Sequence, residues 1–435
     1  MRFDDLVGRD VVIWGAGREG MAAHRELAGR GIDAAIAVTG SASAPTGVFT
    51  GDAAWELLRT ADAIVKSPGI PHTSPEYAAL IGAGAAITSL MDLWITENRD
   101  RVIAVTGTKG KSTTSALTQH ILVTLGHEAA LAGNIGIPVG ARVGDDVYCA
   151  VTEVSSYQAA ELTASPRVAV FTSLYPEHLP WHGGFESYVA DKLRLAQFGA
   201  ETVIVPNRSD DLGRRVSTVA GGARIVSPDD VGITVTHDAI AWEGVGSLAL
   251  RDMNFVGSHN LVNAALALTA VAVYATSLDR VRALEALASF APLAHRLEIV
   301  PSTDGRTWID DGLATAPQAV AAALTSLSAP RIALIAGGSE RDLDFAPIVD
   351  ALDGRNDVEL VCTGPAGARL AREAETRLPR IHVADSFAAA VSIARSLTTT
   401  GDTILLSPGA PSFDEFADYE ARAAAFRTLA AERAQ

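Results

Sequence analysis

Along nearly the whole chain, short runs rich in β-branched residues alternate with Ala- and Leu-rich stretches of helical length. That alternation predicts parallel sheets flanked by helices. A first unit opens with the strand VVIWGAG (Val11 to Gly17). A helix from Arg18 to about Arg30 follows, then a strand at DAAIAV and another within AIVKSPGI, ending at Gly69. A second unit starts with RVIAVTGTKGKSTT, a strand running into a Gly-rich turn and a helix. Its later strands lie in VYCAVTEVSS, VAVFTSLY and TVIVPN. From about Ser209 to Val256 the pattern is more polar and alternating, which predicts short antiparallel strands or loops. Asn260 to Thr276 predicts a helix. A third unit begins near Leu297, with strands in TWIDD, RIALIAGG, VELVCTG and DTILLSPG separated by Ala-rich helices.

The length of 435 residues agrees with this division into three, at roughly 150 residues per domain. Apolar residues make up 48% and charged residues 20%, enough for each unit to bury a core. That excludes a disordered, fibrous or disulfide-stapled chain. With 35 basic against 51 acidic residues the net charge is -16. Such a surface repels phosphate backbones and argues against a dedicated nucleic-acid binder, while leaving room for a local basic pocket. The two cysteines, Cys149 and Cys362, form no CxxC or framework and read as buried thiols of a reducing compartment. The N-terminus MRFDDLVGRD is too acidic for a signal peptide. The longest apolar stretch, around Ala264 to Ala275, is interrupted by Thr and too short to span a membrane. A soluble cytoplasmic protein is expected.

Candidate chemistry sits where strands end. Gly15, Gly17 and Gly20 form a G-x-G-x-x-G between a strand and a helix. Backbone N–H groups there can hold a phosphate. A nicotinamide dinucleotide would want an acid near the end of the next strand, but Val38, Thr39 and Gly40 stand there. Another nucleotide diphosphate, or a plain tight turn, remains open. The strongest local signal is Thr106-Gly107-Thr108-Lys109-Gly110-Lys111-Ser112-Thr113. Its amides would cradle phosphates, Lys111 would reach the terminal phosphates, and Ser112 would bind Mg²⁺. Val105 occupies the first Gly position of the full motif. Glu153, at the end of an apolar strand, is either a Mg²⁺ ligand or an ordinary polar strand end. His178, in the loop PEHLPWHG, is a candidate metal ligand or substrate contact. Lys192 on its own reads as a solvated helix side chain. Asn260 and Asn263 share a helix face, suited to a nucleotide base or to capping.

Together these segments resemble the Mur ligase superfamily. The shared elements are TGTKGKST, AGNIG, E-x-SSYQ, the EH loop, the KLR helix, GSHN-x-x-NA, HR and a final unit opening with WIDD, all in order over essentially the whole chain. The resemblance is nearest to the glutamate-adding ligases. It implies an α/β fold in three domains. Residues 1–97 would be a Rossmann-like UDP-binding domain, and 98–296 a P-loop ATPase-like central domain with a parallel sheet. Residues 297–435 would be a Rossmann-like glutamate-binding domain. It implies ATP and two Mg²⁺ sites held by Ser112, Glu153, His178 and a carbamylated Lys192, with Lys111 on the phosphates. Asn260, Asn263, Arg296 and Asp311 would lie on the ATP side, and the third domain would close over ATP and bring the amino acid. Gly15, Gly17, Arg18, Glu19, Ser67 and Gly69 would meet the UDP portion, and Asn134, Ser155 and Gln158 the muramyl substrate. The expected reaction makes an acyl phosphate from ATP and a carboxylate, which an incoming amine then attacks. It serves peptidoglycan synthesis, and hence cell shape and division, in a monomeric enzyme.

The chain departs from the usual D-glutamate-adding pattern on three segments. Where D-S-K-A-T-N is usual, it reads Asp311-Gly312-Leu313-Ala314-Thr315-Ala316-Pro317. G-G-x-x-K is replaced by Gly337-Gly338-Ser339-Glu340-Arg341, followed by Asp342-Leu343-Asp344. S-P-A-x-A-S is replaced by Ser407-Pro408-Gly409-Ala410-Pro411-Ser412, followed by Phe413 and, later, Tyr419. One cation is lost at Leu313, and at Arg341 a planar fork replaces a point charge. These forms resemble the branch that adds L-glutamate to UDP-N-acetylmuramoyl-L-alanine, with Thr315, Arg341, Ser412, Phe413 and Tyr419 around the amino acid and a separate epimerase acting on the product. The D-glutamate-adding enzyme is the alternative. A folate polyglutamate ligase or a non-catalytic nucleotide-binding module is more distant.

Overall fold

The computed structural model describes residues 1–39, 47–134, 139, 147–255, 257–275, 277–291, 294–327, 329–341 and 343–432. Gly40, Ile135, Gly136, Val256, Thr276 and Asp342, which belong to segments named above, lie outside them. The chain divides into two compact units. One comprises Met1–Ala249 with Leu261–Ala288, the other Leu250–Asn260 with Ser289–Gln435.

The first unit holds two all-parallel sheets. In the first, the strands run Val48–Thr50, Ala34–Val38, Val11–Trp14, Ala63–Lys66, Ile87–Thr88 from edge to edge. In the second the order is Arg224–Val226, Thr202–Ile204, Val168–Phe171, Val102–Thr106, Cys149–Glu153, Ala129–Gly133. The central strands VVIW, VIAVT, CAVTE and VAVF are buried at every residue, as a sheet covered by helices on both faces requires. In the second unit, Glu298–Val300 pairs antiparallel with Thr307–Asp310. The sheet continues in parallel through Thr403–Gly409, Ile332–Gly337, Val358–Thr363 and Ile381–Ala384. The α/β architecture with parallel sheets is as the alternating pattern predicted. Among the described residues, no helix is long and apolar enough to cross a membrane.

The differences are local. The stretch after Ser209 begins with a helix, Asp211–Val219, before the antiparallel strands Ile233–Val235, Ala239–Trp242 and Gly246–Ala249. Asp210 caps that helix through its side chain onto the Gly213 N–H at 2.7 Å, and only Leu212, Gly213 and Val216 are buried. So narrow an apolar stripe is hard to distinguish from a loop. The AIVKSPGI strand stops at Lys66, because Lys66 turns inward and donates to Ile70 O at 2.8 Å, closing the loop after it. Ile381–Ala384 was missed because its side chains are mostly half-exposed and do not read as an apolar run.

The glycine motif does two jobs. At Gly20 a Cβ would collide with the Gly15 carbonyl oxygen, so this glycine permits the close approach of helix Arg18–Gly29 to the strand end. Around Gly17, the N-cap of that helix, a Cβ would meet nothing within 4 Å. Each unit buries one cysteine in a central strand, Cys149 and Cys362, and burial pushes both thiols up to about 12. Gly20→Ala is expected to destabilise the first unit by about 1–3 kcal/mol, the usual range for overpacking. Urea unfolding followed by circular dichroism checks this, with Gly17→Ala as the unclashing comparison.

Candidate active site

Four neighbouring strands of the six-stranded sheet in the first unit end at one edge, and each delivers a loop there. Parallel sheets bind ligands at that carboxyl edge. After Val102–Thr106 comes the phosphate loop, which enters the helix Lys111–Thr124 at Gly110. Gly107 has φ 146° and Gly110 φ 90°, and neither position has space for a side chain. At Gly107 a Cβ would strike Thr172 Oγ1, and at Gly110 it would strike Asn263 Oδ1. The loop is thus pressed from below by the next strand end and from the side by the helix His259–Tyr274.

Side chains fix its shape. Thr108 Oγ1 lies 2.7 Å from Tyr188 Oη and donates to Tyr175 O at 3.1 Å. The Lys109 N–H donates to Ser173 Oγ at 2.8 Å, while Lys109 Nζ pairs with Glu177 at 2.7 Å. Lys111 Nζ donates to Thr108 O at 2.9 Å, Ser112 is buried, and Thr113 is half-buried on the first turn of the helix. Lys192, on the helix Phe185–Gln197, is 2% exposed and donates to Gly107 O at 2.8 Å. Burial holds its amine well below the ordinary lysine range, and the charge of Lys111 pushes the same way. Lys192 is therefore not the solvated helix side chain that it resembles in isolation.

Glu153 ends the adjacent strand and is 1% exposed. Its Oε1 accepts from Asn134 Nδ2 at 2.7 Å, and its Oε2 is buried with no hydrogen-bond partner. A carboxylate oxygen buried bare is costly unless a cation meets it. The bare Glu153 oxygen therefore has the chemistry that a hard, oxygen-loving divalent ion requires. His178 caps the helix Leu179–His182 with φ 55°. Burial lowers its pKa, which Glu177 opposes, so the neutral imidazole that a metal would require is favoured.

The first-unit residues expected on the substrate side also come together. Ser155 and Gln158 form a reciprocal cap, with Ser155 Oγ accepting from the Gln158 N–H at 3.2 Å and Gln158 Oε1 from the Ser155 N–H at 2.8 Å. Gln158 Nε2 then donates to Glu19, on the first turn of the glycine-motif helix next to Arg18. Burial raises the Glu19 carboxyl, against the pull of Gln158 and Arg18. Ser67 Oγ donates to Gly15 O at 3.4 Å, and Trp181 Nε1 to Gly69 O at 3.4 Å. A buried ion pair that the sequence did not suggest, Lys66–Glu161 at 3.1 Å, stands behind this loop. Glu177, Tyr188 and Asn134 were likewise missed as partners, since the contacts depend on which strands are neighbours.

In the second unit, Asp311 follows the strand Thr307–Asp310. Its Oδ2 accepts from Ser407 Oγ at 2.7 Å and its Oδ1 from the Leu297 N–H at 3.3 Å. Burial pushes its carboxyl up to about 7, although Ser407, the Leu297 amide and Arg296 oppose the shift. Arg296 is exposed, Asn260 is buried at the start of its helix, and Tyr419 stacks edge-on to His295 at 5.6 Å. Thr315 is exposed, as are Arg341 and Phe413, whose guanidinium and ring lie 5.7 Å apart. Ser412 is buried. Arg422, not singled out by the sequence, is 3% exposed and donates to Gly312 O at 3.4 Å and Ala410 O at 3.3 Å, beside Gly338. It ties together the three loops whose sequences depart from the usual pattern. Among the described residues, one trio of His, Asp and Glu lies close enough to share a metal, His295, Glu298 and Asp310. Arg427 already pairs with both acids, at 2.5 and 3.3 Å, which makes it an ion-pair network.

Because the folded-state pKa of Asp311 is raised, ionising it opposes folding. The stability it costs is absent below the ordinary Asp value of 3.8, grows as pH rises from there to about 7, and stays constant above that. Asp311→Asn should therefore match the ligand-free wild type at the acid end, gain on it as pH rises to about 7, and keep a constant advantage above that. Thermal melts across that range check the sign.

Family models for the Mur ligase middle domain and for the Mur ligase, glutamate ligase domain match residues 105–271 and 295–409. A UDP-N-acetylmuramoyl-L-alanine–L-glutamate ligase of a Micromonospora species is 38% identical over 98% of this chain and 97% of its own. A UDP-N-acetylmuramoylalanine–D-glutamate ligase of Rubrobacter xylanophilus is 36% identical over 98% of this chain and 99% of its own. The crystal structure of MurF ligase from Thermotoga maritima in complex with ADP covers 98% of this chain and 96% of that one, with a TM-score of 0.58 at 16% identity, a likeness of fold. Two domain models spanning more than half of the residues, and relatives matched almost end to end, make this chain a member of the Mur ligase family.

Proposed function

We propose that the chain is an ATP-dependent, ADP-forming ligase that joins L-glutamate to UDP-N-acetylmuramoyl-L-alanine in peptidoglycan precursor synthesis. A carboxylate is a poor electrophile. Transfer of the γ-phosphoryl group of ATP to the alanyl carboxylate gives an acyl phosphate and ADP. The glutamate amine then attacks the acyl carbon, the amine proton leaves, and inorganic phosphate departs. Such a reaction depends on holding phosphates, acyl group and amine in line while neutralising charge. The loop from Thr106 to Thr113 suits the phosphates, with its amides at a helix start and Lys111 beside them. Mg²⁺, held by Ser112 and Glu153 with a second ion near His178, would supply neutralising charge on the phosphate and acyl oxygens.

Lys192 is the group we assign to a carbamate. Burial pushes its amine toward the neutral form, the form that can attack CO₂ through nitrogen, lose a proton and become an anionic oxygen ligand. On the same reading the chain has three domains, 1–97 for UDP, 98–296 for ATP and 297–435 for glutamate. Asn134 faces the muramyl group, Asn260, Asn263, Arg296 and Asp311 serve ATP, and an epimerase acts on the product.

Overall identity does not choose between glutamate enantiomers, since relatives of both names match at 36–38%. The observation that carries L-glutamate is the joint departure of three loops: Leu313 with Thr315 and Pro317, Arg341, and Ser407 to Phe413. They belong to the loops that Arg422 ties together, and inverting a stereocentre requires rearranging several contacts at once. Product formation from UDP-N-acetylmuramoyl-L-alanine, ATP and Mg²⁺ should occur with L-glutamate and not with D-glutamate. Product only with D-glutamate would reject the stereochemical assignment and keep the ligase. Turnover of a folate in place of the muramyl substrate would reject both. Lys192→Ala should abolish turnover, with partial return on adding short carboxylic acids; full activity in that variant would remove the carbamate.

A further inference from the structure

Three residues outside the groups assigned above, two buried and Asp191 partly so, form one chain of hydrogen bonds in the first unit. His182 ends the helix Leu179–His182, and its side chain is fully covered. Its Nδ1 lies 2.5 Å from Asp191 Oδ2, and its Nε2 lies 3.0 Å from Ser156 Oγ. Serine, histidine and aspartate linked in that order form the pattern of a nucleophilic triad. The surroundings exclude that role here. Ser156 is buried at the start of the helix Ser156–Ala159. The rings of Trp181, Tyr188 and Tyr157 pack around the imidazole at 4.5, 5.1 and 5.6 Å between centroids.

What the chain joins is more informative than what it resembles. Ser156 lies on the segment that leaves Glu153, His182 lies one helical turn beyond His178, and Asp191 immediately precedes Lys192. Each member of the trio therefore sits on the segment carrying one of three of the four groups assigned to Mg²⁺, namely Glu153, His178 and Lys192, with Ser112 on a separate segment. We propose that His182 is a positioning residue, the hub that sets the spacing of the Glu153, His178 and Lys192 segments. The inference rests on the ligase reading, which makes those three groups a metal site.

The hydrogen-bond inventory supports a fixed hub. In the Nδ1–H tautomer, Asp191 accepts from Nδ1–H and Nε2 accepts a hydrogen bond from the Ser156 hydroxyl, so one tautomer satisfies both partners. The His182 N–H donates to His178 O at 3.3 Å, which ties the hub to a residue whose φ of 55° a non-glycine side chain holds only under constraint. His72 Nε2 stands 3.7 Å from the same Asp191 oxygen and adds a second imidazole on the far side.

Two readouts test this on the full chain: Mn²⁺ binding in the presence of ADP, followed by electron paramagnetic resonance, and steady-state kinetics. His182→Phe fills the space without either hydrogen bond, and His182→Asn keeps a donor for Asp191. His182→Phe should weaken Mn²⁺ binding and lower kcat by about tenfold or more each, the scale for groups that orient metal ligands. The glutamate KM should stay within about twofold, because uniform binding of that substrate is untouched. His182→Asn should recover part of both losses. Asp191→Asn, which keeps the imidazole, should show the same loss of Mn²⁺ affinity, so the test does not depend on one variant folding. Unchanged Mn²⁺ affinity in Asp191→Asn and His182→Asn, or a glutamate KM that rises as far as metal affinity falls, would overturn the hub. A wild-type protein that binds Mn²⁺ with ADP but turns over neither glutamate would instead overturn the ligase reading, and the binding comparison would still decide the role of His182.

Discussion

A lysine amine buried behind the phosphate loop and donating 2.8 Å to the Gly107 carbonyl is the contact from which the first unit's site is built. An ammonium in that position loses its water to burial, and the carboxylates of Glu177 and Glu153 offset only part of that cost. The amine is therefore held toward its neutral form, which donates the same hydrogen bond without the charge. The helix that carries Lys192 also carries Tyr188, one turn earlier, whose hydroxyl meets Thr108. One helix face thus holds two consecutive loop residues, and the loop holds the start of the helix Lys111–Thr124. The bare oxygen of Glu153 is the complementary half: on one side burial disfavours a cation, on the other a carboxylate oxygen has no partner.

The parts of this arrangement that were legible in the sequence are those encoded within a single turn. Gly15, Gly17 and Gly20, the run from Thr106 to Thr113, and Glu153 at the end of an apolar strand all announce themselves locally, because a strand, a tight turn and a helix start must be adjacent in the chain. Pairings that arise from strand order were not legible. Lys109 and Glu177 meet because Val168–Phe171 is the neighbour of Val102–Thr106. Nothing in spacing alone reports that adjacency. Lys192 is the sharpest case. Its neighbours on the helix resemble those of any surface lysine, and only the packing of that helix behind the loop removes it from water.

In the second unit the sequence located the loops but not the residue that binds them together. Arg422 reads as one more basic residue on an Ala-rich helix. In the fold it is buried, its guanidinium is drawn down to about 10 by burial despite the offsetting charges of Asp414 and Asp310, and it reaches carbonyls of two loops while lying against a third. Specificity at such a site is a property of several loops held at once. Substitutions in three separate segments can therefore change together without loss of the fold, since the parallel sheet beneath them is buried and unaltered in pattern.

Cys149 and Cys362 give the molecule an internal means of reporting on itself. Each stands in the central region of a different unit's sheet, fully covered, with its thiol held out of the reactive thiolate form. An alkylating reagent can reach either sulfur only when the surrounding sheet opens. The two labelling rates then measure the opening of the two units separately, with no engineered probe, and show whether a nucleotide tightens one unit or both.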